Sequence, residues 1–243
     1  MNDILDFRLV FTNIPHLLKY LPITLEIALI SYVANLIIGL LVAIVKIKKT
    51  RVLYPIVSFY VSFTRGTPLL VQLYITYFGI PMILNLINYK FGTNFSTSFI
   101  PKIFFALAAL SLNSAAFSSE FIRAAIESVD KGQLEACHSI GMTNFQTLRR
   151  IVIPEALVVA VPSLGNSLIN MIKGTSLAFT CAVVEITAAG KIIASRNYRI
   201  FESYLSIAII YWIITLIISR IFIIIEKKLK CNEQGVVITN DTN

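Results

Sequence analysis

From Leu21 to Val45 the chain is apolar for long enough to cross a bilayer with some tilt, and Pro22 opens the stretch in the one turn of a helix that tolerates proline. Further apolar blocks run from Val52 to Ile80, Ile100 to Ile122, Ala156 to Ile172 and Tyr204 to Ile225. Inside hydrocarbon a backbone must satisfy its own hydrogen bonds, which makes helices of isolated blocks this long. Composition agrees: 56% of the 243 residues are hydrophobic, 14% are charged, and mean hydropathy is +0.78. Charged residues make up about a quarter of an ordinary soluble domain, so a soluble globule is excluded. The expected fold is an all-α, polytopic membrane protein with about five transmembrane helices.

The net charge of +8 does not signal nucleic acid, because Lys and Arg sit at the ends of apolar blocks and do not interleave with aromatics. Lys46, Lys48, Lys49 and Arg51 close the first span; Arg220, Glu226, Lys227, Lys228 and Lys230 close the last. Placing both clusters in the cytoplasm gives five spans with the N-terminus outside. Residues 1–20 read as a lead-in, an interfacial helix carrying Phe7, Phe11 and His16, and no cleavable leader is recognisable, so the first span is expected to stay in the mature protein. Residues 227–243 read as a cytoplasmic tail, polar and disordered from Cys231 onward. Cys137, Cys181 and Cys231 form no CxxC pair, and His16 and His138 are isolated, so neither metal nor cofactor is expected.

The second block breaks at Thr64-Arg65-Gly66-Thr67-Pro68, giving an interfacial helix and then a span from Pro68. Arg65 must face water, protein or headgroups, either as a snorkelling anchor or in a functional role. After Pro81 an Asn-rich loop to Ser98 is expected outside. Leu177 to Ser195, with Glu185 and Lys191, reads as a helix pair inserted from the outer side without crossing.

Polar residues within the spans mark the candidate path. Ser111, Ala115 and Ser119 form a small-residue ridge suited to helix packing. Asn113 and Glu120 share another face; Glu120 is either functional or paired with Arg123. On the fourth span, kinked by Pro162, the residues Ser163, Asn166, Ser167, Asn170 and Lys173 recur at helical spacing and argue for a wetted cavity. The candidate substrate-contacting set is Asn113, Glu120, Asn166, Asn170, Lys173, Thr175 and Ser176, whose amides and hydroxyls can pair with the carboxylate and ammonium of a zwitterion.

Between the third and fourth spans, Lys131 to Glu155 is too polar and too finely divided to cross. Leu134, Cys137 and Ile140 make one apolar stripe, and Gly141 suits a left-handed C-cap. Thr143 and Gln146 have capping-box spacing for a second helix with the stripe Phe145, Leu148 and Val152, stopped or kinked by Pro154. The stripes should be offered to something at the membrane face.

Glu135, Ala136, Gly141, Ile151, Ile153 and Pro154 resemble the EAA loop of ABC importer permeases, with Cys137 for the second Ala and Ile153 for Leu. Arg65 to Leu69 with Gln72, and Ser118 to Ser128, resemble the Arg-Gly-Thr-Pro-Leu and Glu-x-x-Arg segments of the polar amino-acid permeases. Lys173 to Ser176 is similar to that family's Lys-Asp-Thr-Ser turn, with Gly174 where the family has Asp. The resemblance implies a type I ABC importer permease domain over residues 21–226 with a coupling loop at 131–155. There Leu134, Glu135, Ala136, Cys137, Ile140 and Gly141 would engage an ABC ATPase subunit. It further implies a second permease, identical or homologous, an extracytoplasmic substrate-binding protein, an amino-acid substrate, and the cytoplasmic membrane of a bacterium. Thr175 to Phe179 and Tyr211-Trp212 lean toward cystine permeases. No GxxxxGK[ST] loop occurs, so the chain is not expected to be an enzyme, and ATP hydrolysis falls to the partner. The rival readings are a secondary carrier or channel using Glu120 and Glu185, and an intramembrane enzyme, for which the isolated histidines offer no constellation.

Overall fold

The computed structural model describes residues 5–94, 96 and 99–238, and among them there is no strand. The helices are α1 (Phe7–Leu18), α2 (Leu21–Lys48), α3 (Leu53–Gly66), α4 (Leu69–Phe91), α5 (Lys102–Glu127), α6 (Lys131–Ser139) and α7 (Asn144–Thr147), followed by α8 (Ile153–Gly174), α9 (Ile186–Asn197) and α10 (Ile200–Ile238). A π-turn, Leu148–Val152, joins α7 to α8, and a 3₁₀ segment, Thr175–Cys181, prolongs α8. Among the described residues five stretches are long and apolar enough to cross a membrane: α2, α4, α5, the run Asn144–Cys181, and Ile200–Leu229 of α10.

The bundle is built around α5. Its most extensive partner is α2, with α8 and α4 on its other sides and α10 against α8. The large side chains of α2, among them Leu29, Ile30, Val33 and Ile37, point outward, while Thr24, Ala28, Ser31, Asn35 and Gly39 are buried. Lipid is as apolar as leucine, so large apolar residues gain nothing by turning inward, and small residues facing inward let backbones approach. A Cβ on Gly39 would stand 3.2 Å from Cβ of Ser118 and 3.3 Å from the backbone nitrogen of Ser119. The ridge Ser111, Ala115 and Ser119 is buried as expected for packing.

At the end of the bundle away from α6 and α7, α1 lies across α9 and α10. Asp6 caps it, accepting from the backbone N–H of Arg8 at 2.9 Å. Val10, Asn13 and Leu17 are buried, Phe7, Phe11 and His16 are exposed, and Ser206 Oγ donates to the carbonyl of Val10 at 2.8 Å. The lead-in is thus an amphipathic helix docked on the bundle.

The structure departs from the sequence reading in several places. The expected loop after Pro81 is helical as far as Phe91, because proline removes only one bond from a ladder that apolar surroundings otherwise keep closed; Ser98 lies outside the described residues. Pro154, expected to stop or kink the second short helix, sits in the first turn of α8, directly after the π-turn that follows α7. Proline forbids the ordinary turn before it, and the chain winds instead through the π-turn, in which the N–H of Ile153 reaches the carbonyl of Leu148. The polar tail from Cys231 is helical to Ile238, since extending a helix already nucleated by an apolar span is cheap; 239–243 lie outside the described residues. Leu177 to Ser195 is not a helix pair: the 3₁₀ end of α8 turns at Ala182, at φ +56°, into the single short helix α9. Twelve residues are too few to cross a bilayer.

Candidate functional site

Between α4, α5 and α8 lies a cavity of about 250 Å³ whose polar lining is Asn113, Ser114, Ser167 and Asn170, closed on its apolar side by Leu69, Leu110, Phe117, Phe121 and Met171. The amide of Asn113 is held in place: its Nδ2 donates to Oε1 of Gln72 at 3.1 Å. Gln72 is in turn fixed by the turn that separates α3 from α4, its Nε2 lying 2.9 Å from the carbonyl of Thr64 and 2.7 Å from Oγ1 of Thr67. The break at Thr64 to Pro68 therefore orients a cavity residue on α5. Ser167 Oγ lies 3.4 Å from Oγ of Ser118, tying α8 to α5 beside the cavity.

Of the seven candidate path residues, the structure brings only Asn113 and Asn170 to this cavity. Asn166 is exposed and lines neither this cavity nor the next. Lys173 and Ser176 open on a second cavity, of about 320 Å³, with Thr187, Tyr204 and Tyr211. Thr175 is fully buried, donating to the carbonyl of Ile172 at 2.7 Å. The physical reason is angular: at ~100° per residue the polar stripe of α8 spreads over roughly 120°, more than one cavity wall can take. Gln72, Ser114 and Phe117 complete the site and were not among the candidates. Gln72 was legible as part of the Arg65 to Gln72 match.

Both carboxylates that could have served a carrier are occupied structurally. Glu120 is paired with Nζ of Lys46 and, at 2.8 Å, with Nη2 of Arg123, whose Nη1 meets Glu127 at 2.7 Å. This is the structural alternative for Glu120, extended by Lys46. Glu185 is fully buried and caps α9: Oε2 accepts from the N–H of Thr187 at 2.9 Å and from Tyr211 at 3.0 Å, and Oε1 accepts from the N–H of Ala188 at 2.9 Å.

The segment between α5 and α8 forms as its caps require. Asp130 accepts from the N–H of Gln133 at 3.2 Å to start α6. At its end Gly141 has φ +82°, its N–H donates to His138, and the N–H of Met142 donates to Cys137, both at 3.0 Å. That pair of bonds is a Schellman cap. Both bonds of the Thr143–Gln146 capping box are present. The stripes, however, are not offered whole. Cys137 is buried and Leu134 half-buried, whereas Ile140 is 78% and Phe145 69% exposed, flanked by exposed Glu135 and Ala136. Leu148 and Val152 turn back toward α2 and α5, lining an apolar cavity with Leu36, Leu40 and Ile122. Cys137 thus packs inside the hairpin and presents less surface than Ile140 or Phe145. A helix of nine residues must turn one side inward to be held at all.

Comparison with known proteins bears on the whole bundle. Residues 35–230 match the family described as binding-protein-dependent transport system inner membrane component. The probable amino-acid permease protein YxeN of Bacillus subtilis is 42% identical over 227 residues, 93% of this chain and 96% of that protein. The L-cystine transport system permease protein TcyL of the same organism is 36% identical over 243 residues, all of this chain and 99% of the relative. A crystal structure of an amino acid ABC transporter with histidines superposes with a TM-score of 0.77 at 34% identity, covering 92% of this chain and 99% of that one. The chain belongs to the family of binding-protein-dependent transport system inner membrane components, as a permease subunit of the amino-acid ABC transporter kind.

Proposed function

We propose that this permease passes a neutral, polar, zwitterionic amino acid, of the class that includes cystine, through the Asn113–Asn170 cavity, driven by a separate ABC ATPase that engages α6 and α7. A second permease subunit, an extracytoplasmic binding protein and a bacterial cytoplasmic membrane complete the assembly. One observation carries the substrate class: amides and hydroxyls from α5 and α8 converge on a cavity lined by no ionised side chain. Such a lining can pair both poles of a zwitterion without an unmatched charge of its own. The relatives named for amino-acid and L-cystine transport support the class.

The test is uptake of a panel of labelled amino acids, L-cystine included, by proteoliposomes holding the permease with its ATPase and binding protein. A hydrogen bond removed from a cavity costs about 1 kcal/mol. Asn170→Ala and Asn113→Ala should each slow uptake of the best substrate by about fivefold, and the double variant by more, with the ATPase still co-purifying. Parental kinetics in the double variant would remove this cavity from the path, and no uptake of any panel member would overturn the substrate class.

Gly174 offers a gain-of-function check. It lines the cavity, and a Cβ there would meet only Cδ2 of Leu110 at 3.4 Å and of Leu69 at 3.6 Å, ordinary contacts. Gly174→Asp should therefore fold and place a carboxylate in the wall, turning preference from neutral toward cationic amino acids. Competition of lysine and arginine against the parental substrate reads the result; no shift in preference would mean that the α8 end of the cavity does not select.

A further inference from the structure

Phe117 lines two cavities. One is the 250 Å³ cavity of Asn113 and Asn170; the other, of about 560 Å³, lies one turn along α5 toward α6 and is lined by Lys46, Ser58, Ser62, Arg65 and Glu120. The guanidinium of Arg65 sits over the Phe117 ring at 5.6 Å from its centroid. We propose that the second cavity is a carboxylate-binding site on the exit side of the transport path, with Arg65 as its anion receptor and Phe117 as the barrier between the two cavities.

Charge balance singles out Arg65. Lys46, Glu120, Arg123 and Glu127 form a chain of two cations and two carboxylates, so the network cancels itself. Both oxygens of Glu120 are taken up within it. Arg65 makes no ion pair among the described residues, and its planar fork is free to take a carboxylate with two parallel hydrogen bonds. Ser58 supplies an independent sign of an absent polar partner: its Oγ is buried in the wall of the same cavity without a hydrogen bond among the described residues. Arg65 is exposed, and its guanidinium lies over the one ring that both cavities share.

The order of events follows from relative strengths. A ring face is a weaker partner for a guanidinium than a carboxylate, so an amino acid arriving at the barrier draws Arg65 off Phe117. The ring, released, can change rotamer and open the passage. The inference rests on reading the Asn113–Asn170 cavity as the amino-acid path.

The experiment uses the reconstituted permease, ATPase and binding protein, with the best-transported amino acid of the panel as probe. Vesicles are loaded with labelled amino acid and its escape without ATP is followed, alongside ATP-driven uptake and the amount of assembled complex. Phe117→Ala is expected to raise ATP-independent escape per complex by about tenfold or more, and Phe117→Tyr, which keeps the ring, by much less than Phe117→Ala. Arg65→Lys keeps the charge but loses the fork, and should lower maximal uptake by about fivefold with ATPase association retained; Arg65→Gln should lower it further. A purely structural role would change the amount of complex without changing escape per complex. Should Phe117→Ala vesicles be as tight as the parent and Arg65→Lys transport at the parental rate, the proposal is overturned. If Phe117→Ala does not assemble, Phe117→Leu and the Arg65 pair decide. Insensitivity here, with Asn113 and Asn170 variants impaired, sinks only this inference; insensitivity of the Asn variants sinks the path itself.

Discussion

Glu185→Ala is expected to destabilise the folded permease strongly, by the loss of three buried hydrogen bonds. The carboxylate is fully buried and accepts three hydrogen bonds, from the backbone of Thr187 and Ala188 and from the phenol of Tyr211. Truncation leaves three buried donors without a partner, each at about 1–3 kcal/mol. Even the low end is a large fraction of the ~5–15 kcal/mol by which proteins are stable. The damage also spreads, because the Tyr211 hydroxyl lies 3.4 Å from the hydroxyls of Thr175 and Thr187 and so joins the 3₁₀ end of α8, α9 and α10. A melt of the full chain in detergent, followed with its ATPase bound, should fall by about 6 °C or more. Glu185→Gln, which keeps one acceptor oxygen, should fall by less and retain transport in proportion to folded protein. A proton site would behave oppositely, with Glu185→Gln folding normally and transporting nothing. An unchanged melting point for Glu185→Ala would show that the cap contributes no stability.

Glu185 also shows where the sequence stops being legible. Its capping bonds are local, three residues or fewer along the chain, yet its third partner is 26 positions away, and Lys46 stands 74 positions from Glu120. A lone carboxylate in an apolar block looks the same whether it awaits an ion or has been neutralised by a distant partner. The features legible in the sequence are those fixed by neighbours: the five spans, the small ridge on α5, the helical lead-in, the glycine cap and the capping box; that the lead-in docks on the bundle was not legible. The polar stripe of α8 was legible as a stripe but not as two walls, because periodicity reports direction to within a helix face and not which neighbour fills it. Pro81 does not end its helix, since a proline inside a long apolar helix removes one bond from a ladder that lipid otherwise forces to remain closed.

The other large effect is expected on coupling. Ile140 and Phe145 stand exposed on either side of the Gly141 turn, with Glu135 and Ala136 beside them, while Cys137 is buried and α6 packs against α7. If this surface docks in an apolar cleft of the ATPase, Ile140→Asp buries a charge without a partner, at a cost of several kcal/mol, about 3 or more. That should lower ATPase association and ATP-driven uptake by about a hundredfold. Gly141→Val acts on geometry instead. A β-branched side chain at φ +82° costs about 1–3 kcal/mol, and the chain can escape it only by re-aiming α6 against α7, which breaks the bonds from Gly141 and Met142 to His138 and Cys137. Uptake should fall about tenfold or more while the protein still inserts, because none of the five spans is touched. Binding-protein-stimulated ATP hydrolysis in reconstituted membranes distinguishes the two. Ile140→Asp should lose hydrolysis because the subunits part, whereas Gly141→Val should keep the complex and lose the stimulation. Parental association and stimulation in both variants would place the coupling surface elsewhere and leave α6 and α7 as a passive hairpin. Cys137→Ser supplies the internal control: buried under the turn, it should weaken folding of the segment without selectively weakening contact with the ATPase.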